Sequence, residues 1–302
     1  MNPADVRSLA SRTLVRLVFL SFFVLSTAAV AEKTYRLRLE TVWILEPIFN
    51  SSSVAMTMGG AGDIFLLLDQ GSRVAIFSDS GMFKGEFIAN FPLPANPTDI
   101  ASDGGTGVFI CDPLQSTIVH MSRTGADLEP ILLNTEPQFE PVTLTVLNDG
   151  RMVILNRHDG DLWRIERDGQ AKPLMISSRV NNFDNARLEV TPDEEELILL
   201  ESGHLRMFKL QGEPLPYPTI TLSHPTGIAA TNEGVWVVGN GIAFVPFTLD
   251  NSRLSYSSDS LFAWQVFPPS DIVVENDRIL IASTDASRIA YIHIENVKTE
   301  QP

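Results

Sequence analysis

The sequence predicts an all-β fold, a six-bladed β-propeller of four-stranded antiparallel blades. Three observations lead there. A phrase recurs about every 44 residues, strand-type patterns run through the chain without sustained helical periodicity, and one strand-like segment near the start belongs to no repeat.

The recurring phrase is an apolar run, a short polar turn with Asp, Asn or Gly, and a second apolar run. A polar loop and a third, alternating strand follow. The phrase reads PTDIASDGGTGVFICD over 97–112, PVTLTVLNDGRMVILN over 141–156 and PTGIAATNEGVWVVG over 225–239. Taking the first core residue of each unit as an anchor gives Val54, Ile100, Leu144, Leu188, Ile228 and Ile272, spaced by 46, 44, 44, 40 and 44 residues. A single blade cannot bury both of its apolar faces, so stacked neighbours must do so. The runs Ile64–Leu68 and Leu197–Leu200 suit strands covered on both sides, whereas Leu162–Arg167 and Arg288–Ile294 alternate at period two.

The sixth unit supplies three strands, at Asp271–Val274, Arg278–Ala282 and Arg288–Ile294. The unassigned segment Tyr35–Leu45 (YRLRLETVWIL) is therefore expected to be the outer, fourth strand of that last blade, closing the ring and covering an exposed edge. A loose N-terminal arm would leave Trp43, Ile44 and Leu45 in water.

The first 31 residues differ in kind. Arg7, Arg12 and Arg16 precede the apolar run LVFLSFFVL at 17–25, and Ala29-Val30-Ala31 offers small residues to a signal peptidase. This is the pattern of a cleaved export signal, with cleavage after Ala31. The 15 residues from Leu17 to Ala31 are short of the roughly 20 that span a bilayer, which weighs against a retained anchor helix. The expected organisation is a signal peptide over 1–31, the propeller over 32–298 and a tail over 299–302, with a periplasmic or secreted location and no membrane span after cleavage.

Removing the signal takes the formal charge from −15 to −17, so nucleic acid and anionic lipid are poor partners. Cys111 is the single cysteine and sits in the apolar run VFIC before Asp112, a place for a core residue and not for an activated thiol.

The phrases PTGIA at 225–229, PTDIASD at 97–103 and VFICD at 108–112 resemble the NHL-repeat β-propellers, and the resemblance extends over residues 50–294. The family's recurring Asp position falls at Asp69, Asp112, Asn156, Glu201, Asn240 and Ser283. Asp and Asn there are expected to cap turns by accepting backbone amides. The resemblance extends to propeller enzymes such as gluconolactonase-like hydrolases, which build a channel metal site from a Glu and several Asn or Asp. Glu46 matches the leading Glu superficially, but Thr143 and Gly227 stand where ligands would be needed.

His120, His158, His204, His224 and His293 lie in different units without metal-ligand spacing, and no nucleophile elbow or phosphate loop occurs. Neither a catalytic residue, a metal nor a cofactor is expected. The residues just before the anchors are Ser53, Asp99, Thr143, Arg187, Gly227 and Asp271. They should ring one entrance of the central channel, where Asp99, Arg187 and Asp271 would bind a polar or cationic ligand or form a solvated salt-bridge network. Asn96, Phe183 and His224 would share that face. Two functions follow: an exported, non-catalytic propeller that binds a protein, peptide or glycan through one loop face, or a channel-centred hydrolase or sugar oxidoreductase in which Asp99→Ala or Asp271→Ala abolishes turnover.

Overall fold

The computed structural model describes residues 34–45, 52–68, 73–87, 96–122, 131–132, 139–174, 179–216, 220–221, 223–247 and 254–297. Residues 1–31, expected to be an export signal, lie outside them, as do Glu46 and Asp69. Among the described residues no helix is long and apolar enough to cross a membrane.

The chain begins with β1 (Thr34–Ile44) and then builds its sheets in sequence order. The first sheet holds β2 (Ser53–Met58), β3 (Ile64–Leu68), β4 (Val74–Phe77) and β5 (Phe83–Glu86). The second holds β6 (Asp99–Ser102), β7 (Gly107–Asp112), β8 (Thr117–Ser122) and β9 (Ile131–Leu132). The third holds β10 (Pro141–Val146), β11 (Met152–Asn156), β12 (Leu162–Ile165) and β13 (Ala171–Leu174). The fourth holds β14 (Arg187–Val190), β15 (Glu196–Glu201), β16 (His204–Lys209) and β17 (Ile220–Thr221). In the fifth are β18 (Gly227–Ala230), β19 (Gly234–Val238), β20 (Gly241–Pro246) and β21 (Leu254–Ser257), followed by the short helix α1 (Ser258–Ala263). The sixth comprises β22 (Pro269–Glu275), β23 (Arg278–Ser283) and β24 (Arg288–Val297), with β1 as its outer member in the order β1-β24-β23-β22. All pairings are antiparallel, and β1 meets β24 from Thr34↔Val297 to Ile44↔Arg288.

Sequence periodicity gave no sign of α1. Its six residues are too few for a 3.6-residue pattern to declare itself, and its anchor, Leu261, is packed in the core between the fifth and sixth sheets.

The first strands of the sheets touch in a cycle: β2 to β6, β6 to β10, β10 to β14, β14 to β18, β18 to β22, and β22 back to β2. Core clusters are accordingly shared between adjacent sheets, as where Val153 and Leu155 of the third sheet meet Leu188 and Leu199 of the fourth. β3 is buried along its whole length, which explains why IFLLL carries no polar alternation. Cys111 is fully buried beside Leu144 and Ile154, where burial pushes its thiol well above its ordinary pKa.

Candidate functional site

The site lies where the six inner strands begin. Three of those strands carry register shifts at their starts, between Ser53 and Ala55, Pro141 and Thr143, and Pro269 and Asp271. Each shift leaves one residue out of the ladder: Val54, Val142 and Ser270. A bulge turns the extra residue away from the sheet, and all three line one cavity of about 490 Å³. The other lining residues include Pro97 and Thr98 of the second sheet, Arg157 of the third, Phe183 to Arg187 leading into the fourth, and Thr226 before the fifth. Every sheet therefore contributes to the wall.

The same shifts revise the repeat. Ala55 pairs with Leu67 and Met56 with Leu66, as Thr143 pairs with Leu155 and Leu144 with Ile154. Met56, not Val54, is thus the counterpart of the other anchors, and its separation from Ile100 is 44 residues. The sequence pattern placed the anchor two residues early because Val54 and Met56 are both apolar and two apart, so alternation alone does not choose between them. Ala55 takes the ring place expected of Ser53.

The remaining ring residues tie neighbouring sheets together. Asp99 accepts the Leu144 amide at 3.1 Å and the Thr143 hydroxyl, while Thr143 Oγ1 accepts the Leu188 amide at 3.0 Å. Asp271 accepts the Met56 amide at 2.8 Å through one oxygen and its neighbour Ile272 at 2.9 Å through the other. Gly227 leaves room for this carboxylate, since Asp271 Oδ1 occupies the space a Cβ would take. Both aspartates are buried, so the solvated network expected from the sequence is instead a set of buried struts between sheets.

Arg187 does something different. Its Nη2 donates to the Val54 carbonyl at 2.8 Å and its Nη1 to Ala186 at 3.0 Å, with a longer approach to the Thr98 carbonyl at 3.5 Å. The first and fourth sheets stand three steps apart in the cycle of inner strands. The guanidinium therefore reaches across the ring to the carbonyl that the Val54 bulge releases from its ladder. Glu189, two residues on along β14, shares this axial region and was not singled out from the sequence. The signal was present, since period two places it on the face of Arg187.

Burial raises the pKa of Asp99 despite the nearby Arg187 charge, and raises that of Asp271 to about 7. Glu189 is held well above the usual carboxylate range by burial, then by Asp271 and Asp99. Three acids crowd one cation here, and desolvation favours their protonated forms.

Of the residues expected on this face, Phe183 and Arg187 line the cavity, and Asp99 and Asp271 lie beneath it. Asn96 and His224 are exposed and do not line it. Arg157 was missed because a lone Arg after a turn carries no motif, yet it stands over the Phe183 ring, 6.0 Å from its centre.

Three of the expected turn positions behave as capping residues, whereas Glu201 accepts from the Arg206 guanidinium instead. Asp112 accepts the amides of Leu114 and Gln115 at 3.0 and 3.1 Å, and Asn156 that of Glu140 at 2.8 Å. Ser283 accepts that of Arg288 at 3.1 Å. The ladders put Leu68 and Gly239 at this place in the first and fifth sheets, next to the partners of Ala55 and Gly227.

Among the described residues, to which Glu46 does not belong, two ring places are taken by Arg187 and Gly227. Asp99 and Asp271 accept backbone amides, and no described group of three or more His, Cys, Asp or Glu is placed to hold a metal ion.

No protein-family model and no curated protein matches the chain by sequence. Solved structures do. A streptogramin B lyase superposes with a TM-score of 0.59 at 16% identity, covering 86% of this chain and 98% of its own. A gluconolactonase from Xanthomonas campestris gives 0.59 at 15%, covering 88% and 91%. A chain of the nidogen/laminin complex gives 0.60 at 12%, covering 76% and 91%. The fold is a β-propeller. At these identities the likeness carries the architecture of the propeller and leaves its chemistry to its own residues.

Proposed function

We propose that this is an exported, non-catalytic binding propeller whose ligand enters the cavity at the mouth of the ring. The six sheets would be six blades of the NHL type spanning 32–298, closed by β1 after removal of residues 1–31. The cyclic contact of the inner strands and the outer place of β1 beside β24 support that ring. The basic and apolar N-terminal segment supports export.

The observation that carries the binding reading is the guanidinium of Arg187 on the Val54 carbonyl. It fills the axis that a channel enzyme would keep open, and it leaves above itself a cavity of mixed polar and apolar lining, of the size that holds small ligands or chain ends. Asp99 and Asp271, the acids a hydrolytic reading would use, are engaged in holding sheets together. The ligand is then a glycan, peptide or protein segment presented to the loop face.

Glycan and peptide arrays test this, probed with purified protein before and after EDTA treatment. The expected outcome is binding that survives chelation and is lost in Thr226→Trp, which fills the cavity. Turnover of an arrayed compound that requires a metal would contradict the proposal.

A further inference from the structure

We infer that the cavity receives a carboxylated sugar, the hexuronate class of acidic glycan. The inference rests on the binding reading above and names its ligand. The wall carries two guanidinium groups, Arg157 and Arg187, against one carboxylate, Asp184. Among the described residues neither arginine has a carboxylate oxygen within 4.0 Å, and Nε of Arg187 is buried without a hydrogen-bond partner. In a chain of net charge −15, two cations converge on one cavity, Arg157 with no carboxylate beside it among the described residues and Arg187 above the buried carboxyls of Asp99, Asp271 and Glu189. An anion bound there would gain charge-assisted hydrogen bonds of the kind guanidinium groups make to carboxylates.

The rest of the wall selects a sugar over a peptide. Ser53, Thr98, Thr226, Ser270 and Thr284 put hydroxyl groups in the wall with Asn185 beside them. Thr98 donates to the Val142 carbonyl and Ser53 pairs with Ser270, which leaves oxygen lone pairs to accept from ring hydroxyls. Phe183 supplies a single aromatic face, with Arg157 held over it. The aliphatic part of the wall, Val54, Val142, Ala186, Pro97 and Pro269, is short-sided and carries no Leu, Ile or Met among the described residues, so it suits the C–H faces of a sugar ring. The buried acids below Arg187 strengthen the same conclusion, since their raised pKa values leave the guanidinium less neutralised.

The test is calorimetric titration of the full mature chain at pH 7 with α-1,4-linked digalacturonate and with its dimethyl ester, which keeps size and hydroxyls but removes charge. We expect the acid to bind about tenfold or more tightly than the ester, and high salt to narrow the difference. Arg157→Gln, away from the inter-sheet bonds, should bring the two affinities together with an unchanged thermal melt. Phe183→Ala should weaken both ligands. Equal affinity for acid and ester overturns the charge inference while the binding reading stands. Failure of both to bind overturns the sugar class, and the peptide arrays then decide the binding reading separately. Cleavage of the digalacturonate would overturn both.

Discussion

Asp271 holds two backbone amides from a buried position, one of them on the neighbouring sheet. With its pKa raised to about 7, and with those of Asp99 and Glu189 raised as well, the folded chain retains protons that the unfolded chain has released. The sign follows from proton linkage. Asp271 stabilises the fold most below the ordinary carboxylate range near pH 4, and that contribution is lost as the pH rises from there through about 7, with Asp99 and Glu189 acting in the same direction. Asp271→Asn should therefore flatten the dependence of stability on pH between 4 and 7, although it gives up one acceptor. Urea unfolding at several pH values measures this, and an unchanged slope would show that Asp271 does not titrate in that range. Asp271→Ala leaves two buried amides without acceptors and should cost roughly 1–3 kcal/mol. At this scale the sequence located Asp99, Arg187 and Asp271 by their place before the anchors. It could not show which way they point, because a strut and a ligand-binding carboxylate have the same spacing.

β1 shows what spacing does reveal at the scale of elements. A final unit with three strands and an unassigned YRLRLETVWIL segment were enough to pair the two ends of the chain, and the ladder from Thr34 to Ile44 lies along β24. Its side chains reach both neighbouring sheets. Tyr35 donates to Glu233 and meets Phe244 edge-on at 5.0 Å, while Trp43 stacks on Tyr291 at 5.9 Å. Trp43 also covers Gly81, whose φ of +82° and missing Cβ make room for the indole. Gly81→Ala should strain the turn and push the indole away, costing on the order of 1–3 kcal/mol by the usual cost of overpacking, with a smaller change in tryptophan fluorescence on unfolding as a second readout. A melt within 1 °C of the parent, roughly what ~0.5 kcal/mol would give, would show that Trp43 does not clamp β1. The bulges at Val54, Val142 and Ser270 were illegible for the opposite reason. A bulge adds one residue to a strand without changing its composition, so a repeat read by spacing passes over it, as it does at Val142 and Ser270.

In the whole molecule a ring of sheets meets an uneven charge distribution. Six sheets place their inner strands around one axis, the ring aspartates and Thr143 bind neighbouring sheets to one another, and Arg187 crosses the middle. The net charge of −15 suits solubility and repels polyanions at long range, but ionic screening confines that repulsion to about 8 Å at physiological salt. On the proposed reading the two nearby guanidinium groups prevail inside the cavity, the axis belongs to the protein's own hydrogen bonds, and binding takes place at the mouth above it. Anomalous diffraction from crystals grown in calcium or zinc salts puts that division to the test. The expected map has the Arg187 guanidinium on the Val54 carbonyl and no axial metal peak. A metal held by three or more protein ligands near Asp99, Glu189 and Asp271, with Arg187 swung aside, would contradict it.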